Sequence, residues 1–489
     1  MIRLATVFSG IGAIEHALDR MGIEHKIAFA CDNGDVDILS KKVKAKNVEE
    51  LKKEISLFLD KYDININDNS KFSELIEEID EKIKIVRDSI KEIEDIKDEK
   101  LRTKKLNEAS SQLSMLYERV QTLQILEDLD KLETYKEKKG YVDKLYLSKA
   151  SKNKVKQSYM ANYKLDEEHF HWNVSFLDGN QYRDQVDLFV GGSPCQSFSL
   201  VGKQRGLSDT RGTLFYEYAR LVNEIRPKVF IYENVKAVLS NDNGRTWKVM
   251  SQVFTDLDYI WSYKVLNAKD YGIPQNRERV FVVGFRKDLV LKEKFKFPEP
   301  VELEKKMQDF LIDNVSGKYY LPPKGVEFVT SEKNLSKKFT QIDGEVSLCQ
   351  KKNQQFNWHG DFVFVEENKD MEKTMKDLEK YFLSEKVKKY VLSTGTKGFY
   401  SKPKVDLEIA RPLLTTMHKM HRAGVDNYVT TQGRLRKLTP RECLRLMGFC
   451  DSFKIDVSDM AMYQQAGNSI VVDVLIAVMR QILETYDFE

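Results

Sequence analysis

Residues 3–32 read RLATVFSGIGAIEHALDRMGIEHKIAFACD, and this stretch predicts the class of fold. Arg3–Phe8 is rich in strand-forming residues, a glycine turn follows at 9–12, and Ala13–Met21 has the spacing of a helix. A second apolar run lies at Lys26–Ala30. This order opens a β-α-β unit, whose parallel strands need helices on both faces, so we predict an α/β fold.

The same alternation returns after residue 153. Short apolar runs at Asp187–Val190, Val229–Tyr232 and Val280–Gly284 predict buried strands, and Leu214–Ile225 and Trp247–Leu257 predict the helices between them. Two further helices are predicted near the end of the chain, at Thr439–Met447 and Ile470–Leu483.

Composition limits the classes of protein to consider. The chain has 489 residues, of which 41% are hydrophobic and 32% charged, and its net charge is +3. This length allows two or three domains, and the near-neutral charge alone does not indicate nucleic acid. Its five cysteines lack the spacing of a disulfide framework or a zinc site, so we predict no metal. Without a basic leader or an apolar run of about 20 residues, we expect a cytoplasmic protein with no membrane contact.

The character of the chain changes between residues 37 and 152. Only one glycine and no proline occur there, and charged residues are dense. Apolar residues follow heptad spacing in two series, Leu75, Ile79, Ile83, Val86, Ile90 and Ile93, and then Leu113, Leu116, Val120 and Leu123. We predict an antiparallel helical hairpin with coiled-coil-like packing, inserted into the helix that follows the second strand. It is either a solvated stalk or a surface for a protein contact or dimerisation.

A candidate nucleophile lies in the stretch GGSPCQSFS at residues 191–199. Cys195 follows a predicted strand and precedes a helical segment, a position that lowers the pKa of a thiol and favours the reactive thiolate. The alternative is a buried core cysteine, the commoner fate of a single cysteine. Its neighbours Pro194 and Gln196 and the two preceding glycines favour the nucleophile.

An acid and two cations lie downstream. Glu233 ends a predicted strand, where burial would favour the protonated form that can donate a proton. Arg277 and Arg279 alternate along a predicted strand, so their side chains should share one face and could hold a carbonyl oxygen or brace the acid. The alternatives are a surface glutamate at a strand end and charges that protect an edge strand.

Three segments are candidates for cofactor binding. Phe8–Gly12 forms a glycine turn after the first strand and permits close approach of a ligand. Asp32 ends the second strand, where a carboxylate can bind ribose hydroxyls. Gln465–Ser469 places a glycine turn before an apolar helix, whose start could hold the polar end of a cofactor.

Together the motifs indicate a family. PCQ at 194–196, ENV at 233–235 and QNRER at 275–279 occur in this order. They are joined by KQRGLSDTRGTLF (203–215) and LNAKDYGIPQ (266–275), and RKLTPRECLRLMGF (436–449) and Gly467-Asn468-Ser469 complete the set. With these motifs, the chain resembles the bacterial C5-cytosine DNA methyltransferases.

The resemblance implies an architecture. A Rossmann-like, S-adenosylmethionine-dependent catalytic domain would be built from residues 1–36, 153–290 and 432–489. Residues 291–431 would form a smaller target-recognition domain, and residues 37–152 the inserted helical hairpin. By composition, Gln350–Gly360 and Thr415–Arg422 are the candidate loops for base recognition.

The resemblance also implies roles for single residues. Cys195 would attack cytosine, Glu233 would engage ring nitrogen N3, Arg279 would hold oxygen O2, and Arg277 would support the site. The family flips its target cytosine out of the duplex, as chemistry on a stacked base requires. The positions implied in cofactor binding are Phe8, Ser9, Gly10, Gly12, Asp32, Asn33, Asn173, Pro194, Leu214, Asn468 and Ser469.

Three positions depart from the family pattern. Asn33 follows the ribose-binding acid, where an aromatic or apolar residue is usual. Asn173 replaces the acidic residue that reads the adenine amino group, with Asp178 as a less well-placed candidate; an asparagine oxygen accepts the same hydrogen bond, so we expect weaker binding rather than none. Val201 stands where a serine helps to fill the space vacated by the flipped base.

The resulting functional hypothesis is a DNA (cytosine-5-)-methyltransferase of a restriction–modification system or of epigenetic marking. Its partners would be double-stranded DNA and, in the first case, a cognate restriction endonuclease. One alternative is a tRNA cytosine-5 methyltransferase on the same scaffold, although the Cys-Phe-Thr segment typical of that group is not found. The other is an inactive scaffold whose hairpin recruits partners.

Overall fold

A computed structural model describes residues 1–39, 41–61, 73–193, 214–310, 319, 321–352, 354–364, 395–396, 399–400, 436–437 and 440–488. The chain forms two compact units. The first unit comprises residues 1–271, 278–302 and 447–489, and the second comprises residues 272–277 and 303–446.

The described residues form the following strands and helices. The strands are β1 (Ile2–Val7), β2 (His25–Cys31), β3 (Phe170–His171), β4 (Leu188–Gly191), β5 (Val229–Val235), β6 (Tyr259–Asn267), β7 (Glu278–Arg286), β8 (Thr340–Ile342), β9 (Gly360–Val363), β10 (Gly395–Thr396), β11 (Phe399–Tyr400) and β12 (Arg436–Lys437). The helices are α1 (Ala13–Met21), α2 (Val48–Lys61), α3 (Ser73–Asp95), α4 (Glu99–Asp130), α5 (Tyr135–Tyr146), α6 (Lys154–Asn162), α7 (Leu214–Ile225), α8 (Arg245–Asp256), α9 (Pro323–Thr330), α10 (Glu332–Ser336), α11 (Gln354–Asn357), α12 (Pro440–Arg445), α13 (Asp459–Asn468) and α14 (Val472–Thr485).

A seven-stranded sheet is the centre of the first unit. Its order is β3-β2-β1-β4-β5-β7-β6, parallel from β3 to β5 and antiparallel across β5-β7-β6. Every described side chain of β4 is buried, as expected for a strand covered on both faces. The predicted α/β fold is confirmed, and α1 and α7 have the predicted bounds. The edge strand β6 was not among the predicted strands.

The helices of the inserted segment pack in two apolar clusters, and α4 contributes to both. Helices α3 and α4 correspond to the predicted hairpin, and the heptad residues from Ile79 to Ile93 are buried between them. Helix α2, which the sequence did not predict, joins the same apolar core through Leu51 and Phe58. Helix α5 packs in the second cluster, where Val142 and Tyr146 lie with Ile125 and Leu129 of α4 and with residues that follow β3.

The two ends of the insertion lie side by side. Asn153, the N-cap of α6, donates a hydrogen bond from Nδ2 to the carbonyl oxygen of Asp32 at 2.9 Å. A side chain at Gly34 would collide with Asn153, because its Cβ would lie 2.1 Å from Oδ1. The chain therefore leaves the sheet after β2 and returns to the same place about 120 residues later.

Helices α13 and α14 close the first unit. Together they span Asp459–Thr485, a stretch of the described residues that is long and apolar enough to cross a membrane by length and composition alone. We did not expect an apolar stretch of this length. Of its most apolar window, 61% is buried, and α14 is tied to α1 by an ion pair of 2.7 Å between Arg20 and Asp473. Core packing accounts for the apolar composition.

A small sheet organises the second unit. Strand β9 pairs in parallel with β8 and antiparallel with β12, and Leu321, Val329 and Phe362 form a small apolar core beside it. Asp361 on β9 is buried and accepts hydrogen bonds from the backbone N–H of Leu348 at 3.0 Å and from Gln341 Nε2 at 2.9 Å. It thereby holds the segment before Gln350.

Asp361 is expected to make this unit less stable as the pH rises from about 4 to 7. Burial raises the pKa of Asp361 from its usual value to about 7. The folded state therefore holds the proton more tightly than the unfolded state, and this stabilisation, of the order of 4 kcal/mol, is complete below pH 4 and lost by pH 7. Hydrogen exchange of residues 340–352, corrected for intrinsic rates, measures it. The Asp361→Asn variant should show no such slope; an equal slope in both would contradict the assignment.

Candidate active site

Glu233 and Arg279 lie on adjacent strands and form an ion pair. Strands β5 and β7 pair antiparallel with Glu233 opposite Phe281, so Arg279, two residues from Phe281, projects to the same face. The distance from Arg279 Nε to Glu233 Oε1 is 3.1 Å, and the side chains are only 16% and 13% exposed. The structure thus brings the predicted acid and the predicted O2-binding arginine together. It places the cation of Arg279 beside the carboxyl group, which is one of the two roles that the sequence predicted for the arginines.

The segment that leads to the predicted nucleophile is fixed against the same strand end. Buried Asn234 donates from Nδ2 to the carbonyl oxygen of Ser193 at 2.9 Å and to Tyr232 Oη at 2.8 Å. A Cβ on Gly192 would lie 2.9 Å from Glu233 Oε2, so only glycine permits this approach. The chain therefore passes directly beside Glu233 at residue 193. Pro194, Cys195 and Val201 lie outside the described residues.

Arg277 does not share a strand with Arg279, and that prediction is wrong. Strand β7 begins at Glu278, and Arg277 belongs to the second unit. Its buried guanidinium donates from Nη1 to the carbonyl oxygen of Gln350 at 3.0 Å. The cause is a pairing with Ser347: the backbone N–H of Asn276 donates to the Ser347 carbonyl oxygen at 2.8 Å.

Gln350, predicted to begin a base-reading loop, is buried instead. Its backbone N–H donates to Gln275 Oε1 at 3.1 Å, and Gln275 Nε2 donates to the carbonyl oxygen of Leu446 at 2.8 Å. Gln350 therefore holds Gln275 and Arg277, the part of the QNRER motif that belongs to the second unit. The other candidate loop, Thr415–Arg422, lies outside the described residues.

The glycine turn after β1 has an unusual backbone. Phe8, Gly10 and Gly12 have φ angles of 53°, 55° and 74°, in the left-handed region. For a bulky residue such as Phe8 this conformation costs of order 1–3 kcal/mol and is a feature of ligand-binding turns. Asp32 stabilises the turn, because its carboxylate accepts from the backbone N–H of Gly10 at 2.9 Å and of Gly34 at 2.8 Å.

One side of this turn is packed by a tyrosine and the other is open. Tyr163 Oη donates to the carbonyl oxygens of Ile11 at 3.1 Å and Gly12 at 2.7 Å. A Cβ on Gly12 would lie 2.2 Å from the Tyr163 ring, whereas a Cβ on Gly10 would meet only the Phe8 carbonyl oxygen, at 3.9 Å. Gly10 therefore leaves room for a ligand.

Glu15 is a buried acid that supports the turn through hydrogen bonds, and the sequence did not predict this role. Glu15 on α1 accepts hydrogen bonds at Oε1 from Tyr159 Oη at 2.6 Å and from Thr6 Oγ1 at 3.1 Å. Burial raises the pKa of Glu15. Thr6 Oγ1 also lies within hydrogen-bond distance of Ser9 Oγ, at 2.8 Å, so the network of hydrogen bonds reaches the turn itself. The available signal was a glutamate among apolar residues in the first turn of a helix.

Substituting Gly12 with alanine is expected to weaken cofactor binding by at least about tenfold, since Tyr163 or the turn must move. Gly22→Ala is the matched control, because Gly22 also has a positive φ, 66°, but nothing lies within 4 Å of its Cβ direction. Calorimetric titration with S-adenosylmethionine compares the two variants. Equal affinities in both would show that the turn does not hold the cofactor.

The remaining predicted cofactor positions are distributed over three places. Asn33 accepts from the backbone N–H of Asp35 at 3.1 Å, and Leu214 is the half-buried first residue of α7. Asn468 is exposed at the end of α13, and Ser469 caps that helix. The predicted glycine turn before the last helix is therefore wrong, because Gly467 and Asn468 continue α13.

The segment after β3 contains both candidates for the adenine-reading position. Asn173 Oδ1 accepts from the backbone N–H of Ser175 at 2.9 Å. Asp178 instead pairs with Lys138 of α5 at 3.2 Å, which together with its other hydrogen bonds lowers its pKa despite partial burial. Asn173 and Asp178 both line a cavity that α5 also lines. Because the Asp178 carboxylate is paired with Lys138, Asn173 is the better placed candidate for the adenine-reading position.

Comparison with known proteins identifies similar sequences. The family model for C-5 cytosine-specific DNA methylase matches residues 132–484. The type II methyltransferase M.HhaI of Haemophilus parahaemolyticus is 34% identical over 309 residues, which cover 62% of this chain and 77% of that protein. The type II methyltransferase M.SsoII of Shigella sonnei is 31% identical, covering 64% and 68%. The crystal structure of the S. pombe Dnmt2 methyltransferase aligns over 99% of both chains, with 12% identity and a TM-score of 0.49.

Proposed function

Because the chain belongs to the C-5 cytosine-specific DNA methylase family and is thus a DNA methyltransferase, we propose that it methylates carbon 5 of a cytosine flipped out of a specific duplex site. The observation that carries this proposal is the ion pair between Glu233 and Arg279. It supplies an acid and a cation side by side, which is what the N3 and O2 edge of cytosine requires.

The proposed reaction begins with addition to the ring. The Cys195 thiol gives up its proton, and its sulfur forms a bond to carbon 6. Glu233 delivers a proton to N3, and Arg279, whose guanidinium carries five N–H donors, stabilises charge on O2. These steps leave carbon 5 electron-rich. Because the Asn234 side chain holds residue 193 beside Glu233, two residues before Cys195, we infer that nucleophile and acid act on the same ring.

The remaining steps restore the thiolate. When bound, S-adenosylmethionine supplies an electrophilic methyl group, which carbon 5 attacks. Carbon 5 then loses its proton to solvent, the bond from sulfur to carbon 6 breaks, and the N3 proton returns to Glu233. The released thiolate takes up a proton in place of the one that the Cys195 thiol gave up, so one proton, that of carbon 5, is released in total. The open side of Gly10 and the carboxylate of Asp32, whose oxygens can each accept more than one hydrogen bond, fit the nucleoside of this cofactor.

The proposed partner is double-stranded DNA. Type II methyltransferases among the relatives support a restriction–modification role with a cognate endonuclease, in the cytoplasm of a prokaryote. We assign recognition of the target sequence to residues 291–431 by their position in the chain. We propose the domain boundaries predicted from the sequence. Residues 1–36, 153–290 and 432–489 form the catalytic domain, residues 37–152 the inserted hairpin, and residues 291–431 the target-recognition domain.

The experiment that tests the proposal offers two nucleic acids separately. Purified protein is incubated with methyl-labelled S-adenosylmethionine and with either genomic DNA or bulk tRNA. Label in DNA alone, at carbon 5 of cytosine after digestion to nucleosides, is the expected result. Label in tRNA alone would replace the proposal by the tRNA enzyme, and label in neither would overturn it.

A further inference from the structure

Helix α5 brings the insertion into contact with the segment that holds Asn173. The ring of Tyr146 stacks on Trp172, with centroids 5.0 Å apart and planes 5° from parallel. Tyr146 is 1% exposed, and Val142, one turn earlier on α5, belongs to the same apolar cluster. The insertion is thus not a stalk that packs only on itself.

Two neighbours fix the orientation of the Asn173 amide. The Ser175 backbone N–H, which can only donate, lies 2.9 Å from Oδ1. Tyr146 Oη lies 3.3 Å from Nδ2 and accepts its hydrogen bond. A flipped amide would set its amino group against the Ser175 N–H, donor against donor. The oxygen therefore faces Ser175, and the amino group faces Tyr146.

The backbone around this amide is held independently. Arg220 on α7 donates from Nη2 to the carbonyl oxygen of Val174 at 2.7 Å and from Nη1 to that of Leu177 at 3.0 Å. Glu217 and Glu224 pair with Arg220 at 2.8 and 2.7 Å and keep the guanidinium in place. Rotation of the side chain is the freedom that remains to Asn173, and Tyr146 restricts it.

The fixed amide offers a ligand two different groups. Its oxygen has a second lone pair, and its amino group has a second proton. An acceptor beside a donor complements adenine, which presents an amino N–H next to a ring nitrogen, as in asparagine–adenine pairs on DNA. A carboxylate at the same position would offer acceptors alone.

We propose that Tyr146 is a positioning residue which, through Asn173, makes the cofactor site selective for the adenine of S-adenosylmethionine. The inference rests on the proposed function, because it takes S-adenosylmethionine to be the ligand beside Asn173. The phenol acts as a constant acceptor, since burial raises the pKa of Tyr146 to about 12 and keeps it neutral at ordinary pH. Asparagine at this position then recognises adenine by two bonds rather than one.

The test compares two phenylalanine variants of the full chain. Tyr146→Phe keeps the stacked ring and removes the hydroxyl. Tyr141→Phe is the matched control, because Tyr141 is also on α5 and its hydroxyl donates to Asp128 at 2.8 Å, away from Asn173. Calorimetric titrations use S-adenosylmethionine and S-inosylmethionine, in which a carbonyl oxygen and a ring N–H replace the amino group and the ring nitrogen.

The wild-type protein is expected to prefer S-adenosylmethionine. Tyr146→Phe should reduce that preference about two- to tenfold, the effect of one net hydrogen bond, and Tyr141→Phe should leave it unchanged. An equal loss of affinity for both ligands, or equal behaviour of the two variants, would overturn the inference, because either result describes packing rather than recognition.

A second variant keeps the test sharp if Tyr146→Phe proves unstable in thermal melts. Asn173→Asp removes the amino group that Tyr146 holds and leaves Tyr146 unchanged, so by itself it should reduce the preference by the same two- to tenfold. An unchanged preference in Asn173→Asp would overturn the inference. If the wild-type protein methylates DNA but Tyr146→Phe leaves its preference for S-adenosylmethionine unchanged, the inference alone fails. If the wild-type protein binds no S-adenosylmethionine, the proposed function fails as well.

Discussion

Replacing Cys195 with alanine is expected to abolish methyl transfer to DNA and to leave the affinity for S-adenosylmethionine within about twofold of the wild type. Alanine has no atom that can add to carbon 6, and without that addition carbon 5 is not nucleophilic enough to take a methyl group. Of the proposed cofactor contacts, those of the turn after β1 and of the segment after β3 lie on other segments, and the neighbouring Pro194 is unchanged in the variant. Label transfer and calorimetric titration measure the two properties.

A covalent trap makes the result more specific. In DNA with 5-fluorocytosine at the target, carbon 5 has no proton to lose after methylation, so the bond to sulfur persists. Wild-type protein should form a complex that survives denaturing electrophoresis, and Cys195→Ala should not. Cys450→Ala, which changes an exposed cysteine of the first unit, is the control and should behave as wild type. Methylation by Cys195→Ala would refute the covalent mechanism.

Changing Glu233 to glutamine is expected to lower the methyl-transfer rate by about 10²- to 10⁴-fold, the usual contribution of a positioned acid. Glutamine has the same shape and can still contact Arg279, but it has no carboxyl proton to give to N3. DNA affinity should change by much less than the rate. Single-turnover kinetics and a DNA-binding titration separate the two.

The matched control for this variant is Glu278→Gln. Glu278 lies beside Arg279 on β7 and pairs with Lys236 at 2.9 Å, but it is half exposed. Its substitution removes the same charge from the neighbouring strand and should leave the rate within about twofold. If Glu233→Gln weakened DNA binding more than catalysis, its role would be in binding and the assignment as acid would be wrong.

The local signals of the sequence predicted most of the first unit. The glycine turn, the buried strands and the heptad series each lie within a few residues of one another, so their patterns are visible in the chain itself. Strand β6 escaped prediction because only two of its nine residues are buried, which gives an edge strand little apolar pattern. Its place in the sheet depends on pairing with β7.

The features that were missed depend on contacts between distant residues. The spacing of the sequence predicts Arg277 on the same strand as Arg279. The structure differs because the neighbouring Asn276 pairs with Ser347, 71 residues later. Likewise, nothing near Gly12 indicates that the Tyr163 ring fills the space of its missing side chain. The pairing of Glu233 with Arg279 was foreseeable only as a hypothesis, because each lies at a strand end and the strand order decides whether they meet.

The adjacency of Gly34 and Asn153 bears on the history of the chain. A segment whose ends touch can be gained or lost in a single genetic event, since the parent fold needs only a short turn in its place. The entropic cost of closing such a loop rises slowly with its length, so a loop of about 120 residues destabilises the fold only slightly more than one of about 30. Ancestors of this enzyme could therefore have acquired α2–α5 as one segment without any change in the order of the strands.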